Sequence, residues 1–188
     1  MKWEKQNINI PVKNNSDSVS SITWTLPPTF DKKYLLRSDR ILLDFLQHNG
    51  FRSNVFFAND VPQEMYLFLD DYLQLKGLTY FMIPRKNSTD IDELAEQLKT
   101  LKPLPENAKK YLNNSDNIQV LNNYRFAYAI AAQIALSKNK SDKALQLIEA
   151  VERKYPEKVL PFFAEEAKQW FYKLKEQVLK KTTDSLIF

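Results

Sequence analysis

The stretches Ser53-Asn54-Val55-Phe56-Phe57-Ala58 and Leu78-Thr79-Tyr80-Phe81-Met82-Ile83 decide how the first half of this chain is read. Each is a short apolar run of the length of a buried strand. Asn59 and Asp60 turn the chain after the first run, and Pro84 closes the second. Between them, Asp60 can cap a helix that runs to about Leu75, with Pro62 early in its first turn. Proline suits that place because its missing N–H is one that the first helical turn leaves unpaired. Met65, Phe68, Leu69, Tyr72 and Leu73 fall on one side of this helix, and Gly77 stops it. Strand, helix, strand predicts a right-handed βαβ unit with parallel strands.

Toward the N-terminus, Ile8, Ile10 and Val12 alternate with polar residues, which predicts a strand. A polar turn, Lys13 to Asp17, leads to Val19–Leu26, rich in Val, Ile, Thr and Trp, and Pro27-Pro28 ends that second strand. These strands can extend the small sheet. Ser38 or Asp39 can cap the helix that follows. Its apolar face is Ile41, Leu42, Phe45 and Leu46, and Gly50 supplies the left-handed C-terminal cap.

Toward the C-terminus, Arg85 to Thr89 is a polar linker, beyond which no strand signal remains. Asp90 caps a helix through about Leu101. Pro103 and Pro105 break it, and Glu106 to Leu112 starts a shorter one. The longest helical pattern is Ile118–Leu136, with Ala127, Ala131 and Ala135 in a row. Small side chains in a row let a neighbouring helix come close. Ser141 caps the next helix, whose stripe is Ala144, Ile148, Val151 and Tyr155. Pro161 opens the last, with Phe163, Phe171, Leu174 and Val178 on a broad apolar face, and the tail Lys180–Phe188 is expected to fray. The expected fold is mixed, α+β or α/β. Residues 1–86 form a small sheet with a parallel βαβ unit, and residues 87–188 form an all-helical part.

Composition narrows the chemistry. The chain has 188 residues, no cysteine, one histidine (His48) and two glycines. Disulfides, cysteine-zinc sites, multi-histidine metal sites and Gly-rich phosphate loops are thereby excluded. The longest uncharged apolar stretch, Phe126–Leu136, is about half of the roughly 20 residues that a membrane helix needs. The N-terminus is not that of a secretory signal. The net charge of +4 divides evenly between residues 1–89 and 90–188, with no basic stripe, so nucleic acid is not an expected partner.

Two stretches resemble known families. Tyr128, Ala132 and Ala135, followed by Ala144, Ile148, Val151 and Pro156, are spaced like one tetratricopeptide-type helix pair over about residues 118–156. A plain antiparallel helix hairpin fits the same residues. The longer resemblance starts at Ile22-Thr23-Trp24-Thr25-Leu26 and Leu35-Leu36-Arg37-Ser38-Asp39. It continues through Leu42-Leu43-Asp44, Val55-Phe56-Phe57-Ala58 and Tyr66-Leu67-Phe68-Leu69. Its most specific phrase runs from Asp71-Tyr72-Leu73-Gln74 through Lys76-Gly77-Leu78-Thr79-Tyr80 to Ile83-Pro84.

Taken together, these residues resemble the C-terminal region of bacterial protein O-mannosyltransferase-like multi-span membrane proteins. There an extracytoplasmic α/β segment and a helical end follow the membrane domain. Two departures stand out: Ser53-Asn54 replaces a usual proline after Arg52, and Phe81 stands where a basic residue is common. The family's presumed catalytic carboxylates lie in membrane-side loops that this chain does not contain.

The resemblance therefore implies a non-catalytic accessory or interaction domain of a membrane glycosyltransferase-like protein. It would act with no cofactor, with the membrane portion of its own full-length protein or another protein as partner. Its location would be the extracytoplasmic, periplasmic face if the chain is a fragment, and the cytoplasm otherwise. Two alternatives stay open: a free-standing helical-repeat scaffold that binds a peptide, and a small enzyme using a crevice at the strand ends. That crevice follows from the parallel reading, which brings Asn59, Asp60 and Arg85 side by side beyond the carboxyl ends of the strands. Turn and capping chemistry accounts for the same residues.

His48 lies near a helix end, where its charged form suits the dipole. Asp70-Asp71 is a carboxylate pair that, on a helix, points in directions ~100° apart. No catalytic or metal-binding set is expected. Asp17-Ser18-Val19 and Asp184-Ser185-Leu186 resemble the acceptor strings of periplasmic O-glycosylation, which makes Ser18 and Ser185 candidate modification sites.

Overall fold

The central strand of the main sheet is Thr79–Met82, and both of its neighbours run antiparallel to it. This is seen in a computed structural model of the chain, which describes residues 1–13, 19–59, 61–86 and 89–185. The chain divides into two compact units, Met1–Thr89 and Asp90–Phe188. Among the described residues the first holds five strands, one α-helix and two 3-10 turns. The second is helical, so the fold is mixed, with a helical C-terminal part.

In the first unit, β1 (Gln6–Pro11) and β2 (Ser21–Leu26) form an antiparallel pair with Ile8 opposite Trp24 and Ile10 opposite Ile22. The alternation read from the sequence puts these four side chains and Leu26 in the core. The pair is a separate two-stranded sheet and does not extend the other one. Helix α1 (Arg37–Asn49) follows, and Gly50 at φ 51° ends it as expected. Its first turn differs from expectation. Leu36 stands at the cap position, and Ser38 and Asp39 lie inside the helix. Asp39 instead accepts a hydrogen bond from the Thr29 hydroxyl. The inward face is also rotated: Leu43 and Leu46 are buried, while Ile41 and Phe45 are exposed.

The parallel βαβ unit is not formed. Strand β3 (Phe56–Ala58) pairs antiparallel with β5 (Thr79–Met82), and β4 (Leu73–Lys76) flanks β5 on the other side. Where a helix was expected there are two 3-10 turns, Gln63–Tyr66 and Asp70–Tyr72, and then β4. Three physical causes act together. Leu67 and Phe68 both sit at φ 57°, which no right-handed helix accommodates. Leu67, Leu69, Tyr72, Leu73 and Leu75 are all buried, more than one helical face can hide, whereas Met65 is exposed. Finally, β2 draws the segment in: the Trp24 indole donates to the Leu67 carbonyl at 2.7 Å, and the Tyr72 hydroxyl donates to the Thr23 carbonyl at 2.9 Å. Gly77, at φ 60°, opens a two-residue hairpin loop with Leu78 and is not a helix stop.

In the second unit, Asp90 caps α2 (Ile91–Lys99) by accepting from the N–H groups of Asp92 and Glu93. The short helix expected after Pro105 is a 3-10 turn at Ala108–Tyr111. Helix α3 (Ser115–Ser137) folds back through Lys138–Lys140 into α4 (Ser141–Lys154), so Ser141 begins that helix and Lys140 takes the cap position. Ala127, Ala131 and Ala135 of α3 and Ala144, Ile148 and Val151 of α4 are fully or almost fully buried. The last helix, α5 (Glu165–Ser185), starts four residues after Pro161 and buries Phe171, Leu174 and Val178; it is helical from Lys180 to Ser185, where fraying was expected, and the rest of that stretch lies outside the described residues. Among the described residues no helix is long and apolar enough to cross a membrane.

Candidate functional site

The antiparallel sheet separates the residues of the expected strand-end crevice. The Asn59 N–H donates to the carbonyl of Leu78, at the hairpin end of β5, whereas Arg85 follows the opposite end of that strand. Arg85 meets Phe51, Ser53 and Asn54 around a shallow 220 Å³ hollow. Asp60 lies outside the described residues, as does Ser18, and Ser185 is the last residue of α5. His48 is exposed near the end of α1, and its carbonyl accepts from Arg52 at 3.2 Å. Asp70 and Asp71 do not share a helix. Asp70 accepts from the Tyr66 hydroxyl at 3.0 Å and from Gln63, which ties the two 3-10 turns together. Burial, reinforced by Asp70, pushes the Tyr66 hydroxyl upward from its ordinary pKa. Asp71 forms an exposed ion pair with Lys86 at 3.4 Å.

A second concavity lies in the helical unit. It is a 280 Å³ groove between the end of α4, the segment Tyr155–Phe162 and α5. Its floor is Arg125 of α3, one of the few charged side chains that are almost fully buried. The guanidinium donates to the carbonyls of Tyr155 at 2.9 Å and Leu160 at 2.6 Å, and to the side chain of Asn122. The Phe162 ring lies under it, 4.0 Å from centroid to guanidinium carbon. Asn122 in turn donates to the Pro161 carbonyl at 3.0 Å. Two polar side chains three residues apart on α3 thus hold a turn made irregular by Pro156 and Pro161, whose carbonyls no helix or strand satisfies. Burial lowers the Arg125 pKa to about 10, which leaves it charged at neutral pH.

Beside it, Lys154 serves the end of α2. Its ammonium donates to the carbonyls of Lys99 at 2.9 Å and Leu101 at 2.7 Å, and to the Tyr128 hydroxyl at 2.8 Å. The Tyr128 hydroxyl in turn donates a hydrogen bond to the Leu98 carbonyl at 2.5 Å. A cation is favourable there, since the last carbonyls of a helix carry partial negative charge. The Tyr155 hydroxyl, pushed upward in pKa by burial, donates to the Lys102 carbonyl at 2.8 Å.

The rim consists of half-exposed ion pairs. Glu152 meets Lys175 at 2.6 Å, and Glu157 meets Lys168 at 2.8 Å while accepting from the Tyr172 hydroxyl at 2.6 Å. The Lys168 bond and then the Tyr172 bond hold the Glu157 carboxyl below its ordinary range. Chemically, the buried donors are committed to main-chain oxygens, and what faces the groove is aromatic surface with a charged rim. Sequence reasoning missed Asn122, Arg125 and Lys154. A signal was present: Asn122, Arg125, Tyr128 and Ala132 share one helical stripe, so a charge sits where the spacing calls for an apolar residue.

The family described as TMEM260-associated domain 2 matches residues 2–102, more than half of the chain, and the chain belongs to that family. No curated protein and no solved structure matches it.

Proposed function

We propose that this TMEM260-associated domain is a non-catalytic accessory or interaction domain of a membrane glycosyltransferase-like protein, acting on the extracytoplasmic side beside the membrane portion of its own full-length protein. The observation that carries the non-catalytic part is the use made of Arg125, Lys154 and Tyr155. Arg125, Lys154 and Tyr155, in and beside the groove at the end of α4, each donate to main-chain carbonyls. The glycosyltransferase part is supported by the resemblance of residues 20–160 to the region that follows the membrane domain in O-mannosyltransferase-like proteins. The order of a mixed unit of strands and helix and then a helical one agrees with it. A second reading is favoured by the groove itself: α3 and α4 pack as an antiparallel pair whose spacing resembles a tetratricopeptide unit, and the groove beside them, lined by Phe162 and Tyr172, would take an extended peptide.

One experiment addresses both readings. The chain is used as bait against the membrane portion encoded in the same gene and against an unstructured peptide library. Capture of the membrane portion supports the first reading, and capture of peptides alone supports the second. Sugar transfer by the purified chain, abolished by one substitution at Arg85, overturns both.

A further inference from the structure

The turn Phe30–Tyr34 is built against the ordinary preferences of its residues. Asp31 and Lys32 are both left-handed, at φ 47° and 52°, and neither is glycine. The Lys33 N–H donates to the Phe30 carbonyl at 3.2 Å, which makes Asp31 and Lys32 the central pair of a tight turn with two positive φ angles. Such a turn stores strain that the surroundings must hold in place. Holding it are the hydrogen bonds of Thr29 and Phe30 to the Tyr34 carbonyl, each 2.9 Å, and the antiparallel approach of Lys2 to Tyr34. Trp3 anchors the other side: its indole is buried and donates to the Leu26 carbonyl at 3.2 Å.

This rigid frame presents apolar side chains to the outside. Phe30 is 56% exposed, Tyr34 41% and Leu36 43%. Leu36 is also the residue from which α1 starts, and Arg37, Ile41 and Phe45 follow along α1 at four-residue spacing. Ile41 and Phe45 are exposed as well. The charges around the turn are mostly of one sign. Lys2, Lys32, Lys33 and Arg37 are exposed, and no ion pair of the described residues involves them. Asp31 is the one acid in residues 30–37. Exposed large apolar side chains close in the chain to exposed cations without ion pairs differ from an ordinary solvated surface, where large apolar side chains occur singly and cations stand among acids.

We propose that the face formed by the Phe30–Tyr34 turn and the start of α1 docks on an anionic lipid surface. The aromatic and aliphatic tips enter the headgroup layer, and Lys2, Lys32, Lys33 and Arg37 meet lipid phosphates. Aromatic side chains with a polar or cationic flank settle at that depth, and each surface cation adds attraction to anionic headgroups. Charge complementarity chooses lipid over a protein partner. An anionic bilayer offers a continuous layer of phosphates to all four cations and an apolar layer just behind it. The inference stands on this face alone and does not rest on the accessory role proposed above.

The test is sedimentation of the full chain with vesicles of phosphatidylcholine alone and of phosphatidylcholine with phosphatidylglycerol. Two double variants are compared: Phe30→Ser with Tyr34→Ser, and Lys32→Glu with Lys33→Glu. The control is Lys109→Glu with Lys110→Glu, the same charge change in the helical unit. All the substituted side chains of the face are exposed, and circular dichroism checks that each variant is folded. The expected result is binding to the anionic vesicles only, weakened at least about tenfold by either face variant and little changed by the control. Three results overturn the proposal: no binding to anionic vesicles, equal weakening by the control, or face variants that abolish capture of a protein partner while vesicle binding is unchanged.

Discussion

The two units solve one problem with different donors. Each contains stretches without regular structure whose buried carbonyls need partners. In residues 1–89 the main side-chain donors that reach distant carbonyls are neutral: the indoles of Trp3 and Trp24 and the phenol of Tyr72 reach carbonyls 23 to 49 positions away. In residues 90–185 the main donors are cations, Arg125 and Lys154, reaching carbonyls 30 to 56 positions away. A neutral donor brings its own apolar bulk and loses little on leaving water. A buried cation loses far more, and several acceptors must offset that loss. Arg125 has three acceptors and a ring beneath it, with no carboxylate among its hydrogen-bond partners.

Removing the cation gives the largest expected effect. Arg125→Ala leaves the Tyr155 and Leu160 carbonyls without their donor and empties the space over Phe162. The expected loss of stability is about 3–5 kcal/mol, from unsatisfied acceptors and lost packing together. It is measured by urea denaturation of the full chain. Hydrogen exchange shows where the loss falls: protection should drop at amides of α3 to α5 and remain in β1 and β2. Equal loss in both units would break the comparison, because it would show that they unfold together. Trp24→Phe is the matching change in the first unit. It keeps an aromatic ring and removes one N–H, so about 1–3 kcal/mol is expected, localised to β2 and residues 66–73. A Trp24→Phe loss as large as that of Arg125→Ala would show that donor charge is not what distinguishes the units.

The same contrast explains which parts of the fold could be read in the sequence. The helical unit is dominated by contacts along single helices and between sequence neighbours, and its periodic rows were legible. Ala127, Ala131 and Ala135 on α3, and Ala144, Ile148 and Val151 on α4, are buried as their spacing predicts. In the first unit, β1 and β2 were legible for a similar reason, since Ile8 and Ile10 alternate cleanly. Residues 60–76 were not. Leu67, Leu69, Tyr72 and Leu73 satisfy a helical spacing and an alternating one at once, and the choice between them is made by β2, more than 40 residues away. Leu73-Gln74-Leu75-Lys76 followed by Gly77 did carry the strand-and-turn signal, but a glycine after an apolar run also ends helices. The strand-end crevice fell with that choice. Arg125 escaped notice because its partners are carbonyls of a proline-bounded turn, and carbonyls have no signature in sequence.

Glycine positions sharpen the comparison at a smaller scale. Gly50 and Gly77 are both left-handed, at φ 51° and 60°, and they differ in surroundings. A Cβ on Gly50 would lie 2.9 Å from the Pro11 carbonyl oxygen and from the Lys13 side chain, whereas one on Gly77 would meet nothing within 4 Å. Gly77→Ala should therefore cost only the conformational strain, about 1–2 kcal/mol. Gly50→Ala should cost more, because a backbone oxygen cannot give way as a side chain can, and because Gly50 ties α1 to β1 through the Lys13 N–H at 2.8 Å. Denaturation midpoints of the two variants check the order. Equal costs would mean that the chain around Pro11 relaxes freely.

The smallest expected effect is electrostatic and concerns the groove rim. Hydrogen bonds from Lys168 and then Tyr172 hold the Glu157 carboxyl below its ordinary 4.5 in the folded chain. A carboxyl lowered on folding binds its proton more readily in the unfolded chain. Its contribution to stability is therefore complete above the ordinary value and disappears as pH falls through the lowered one. The pair is more than a third exposed, so solvent and salt screen most of its attraction. Melting temperatures of the parent chain and Glu157→Gln should thus differ slightly at neutral pH, and the gap should close as the pH drops below 4.5 and narrow in high salt. Arg125, beneath the same groove, keeps its charge throughout that range and cannot produce the closing gap. A gap that persists in acid would assign the effect of Glu157 to the geometry of its hydrogen bond with Tyr172. The rim would then resemble the neutral-donor contacts of the first unit more than the buried cation it surrounds.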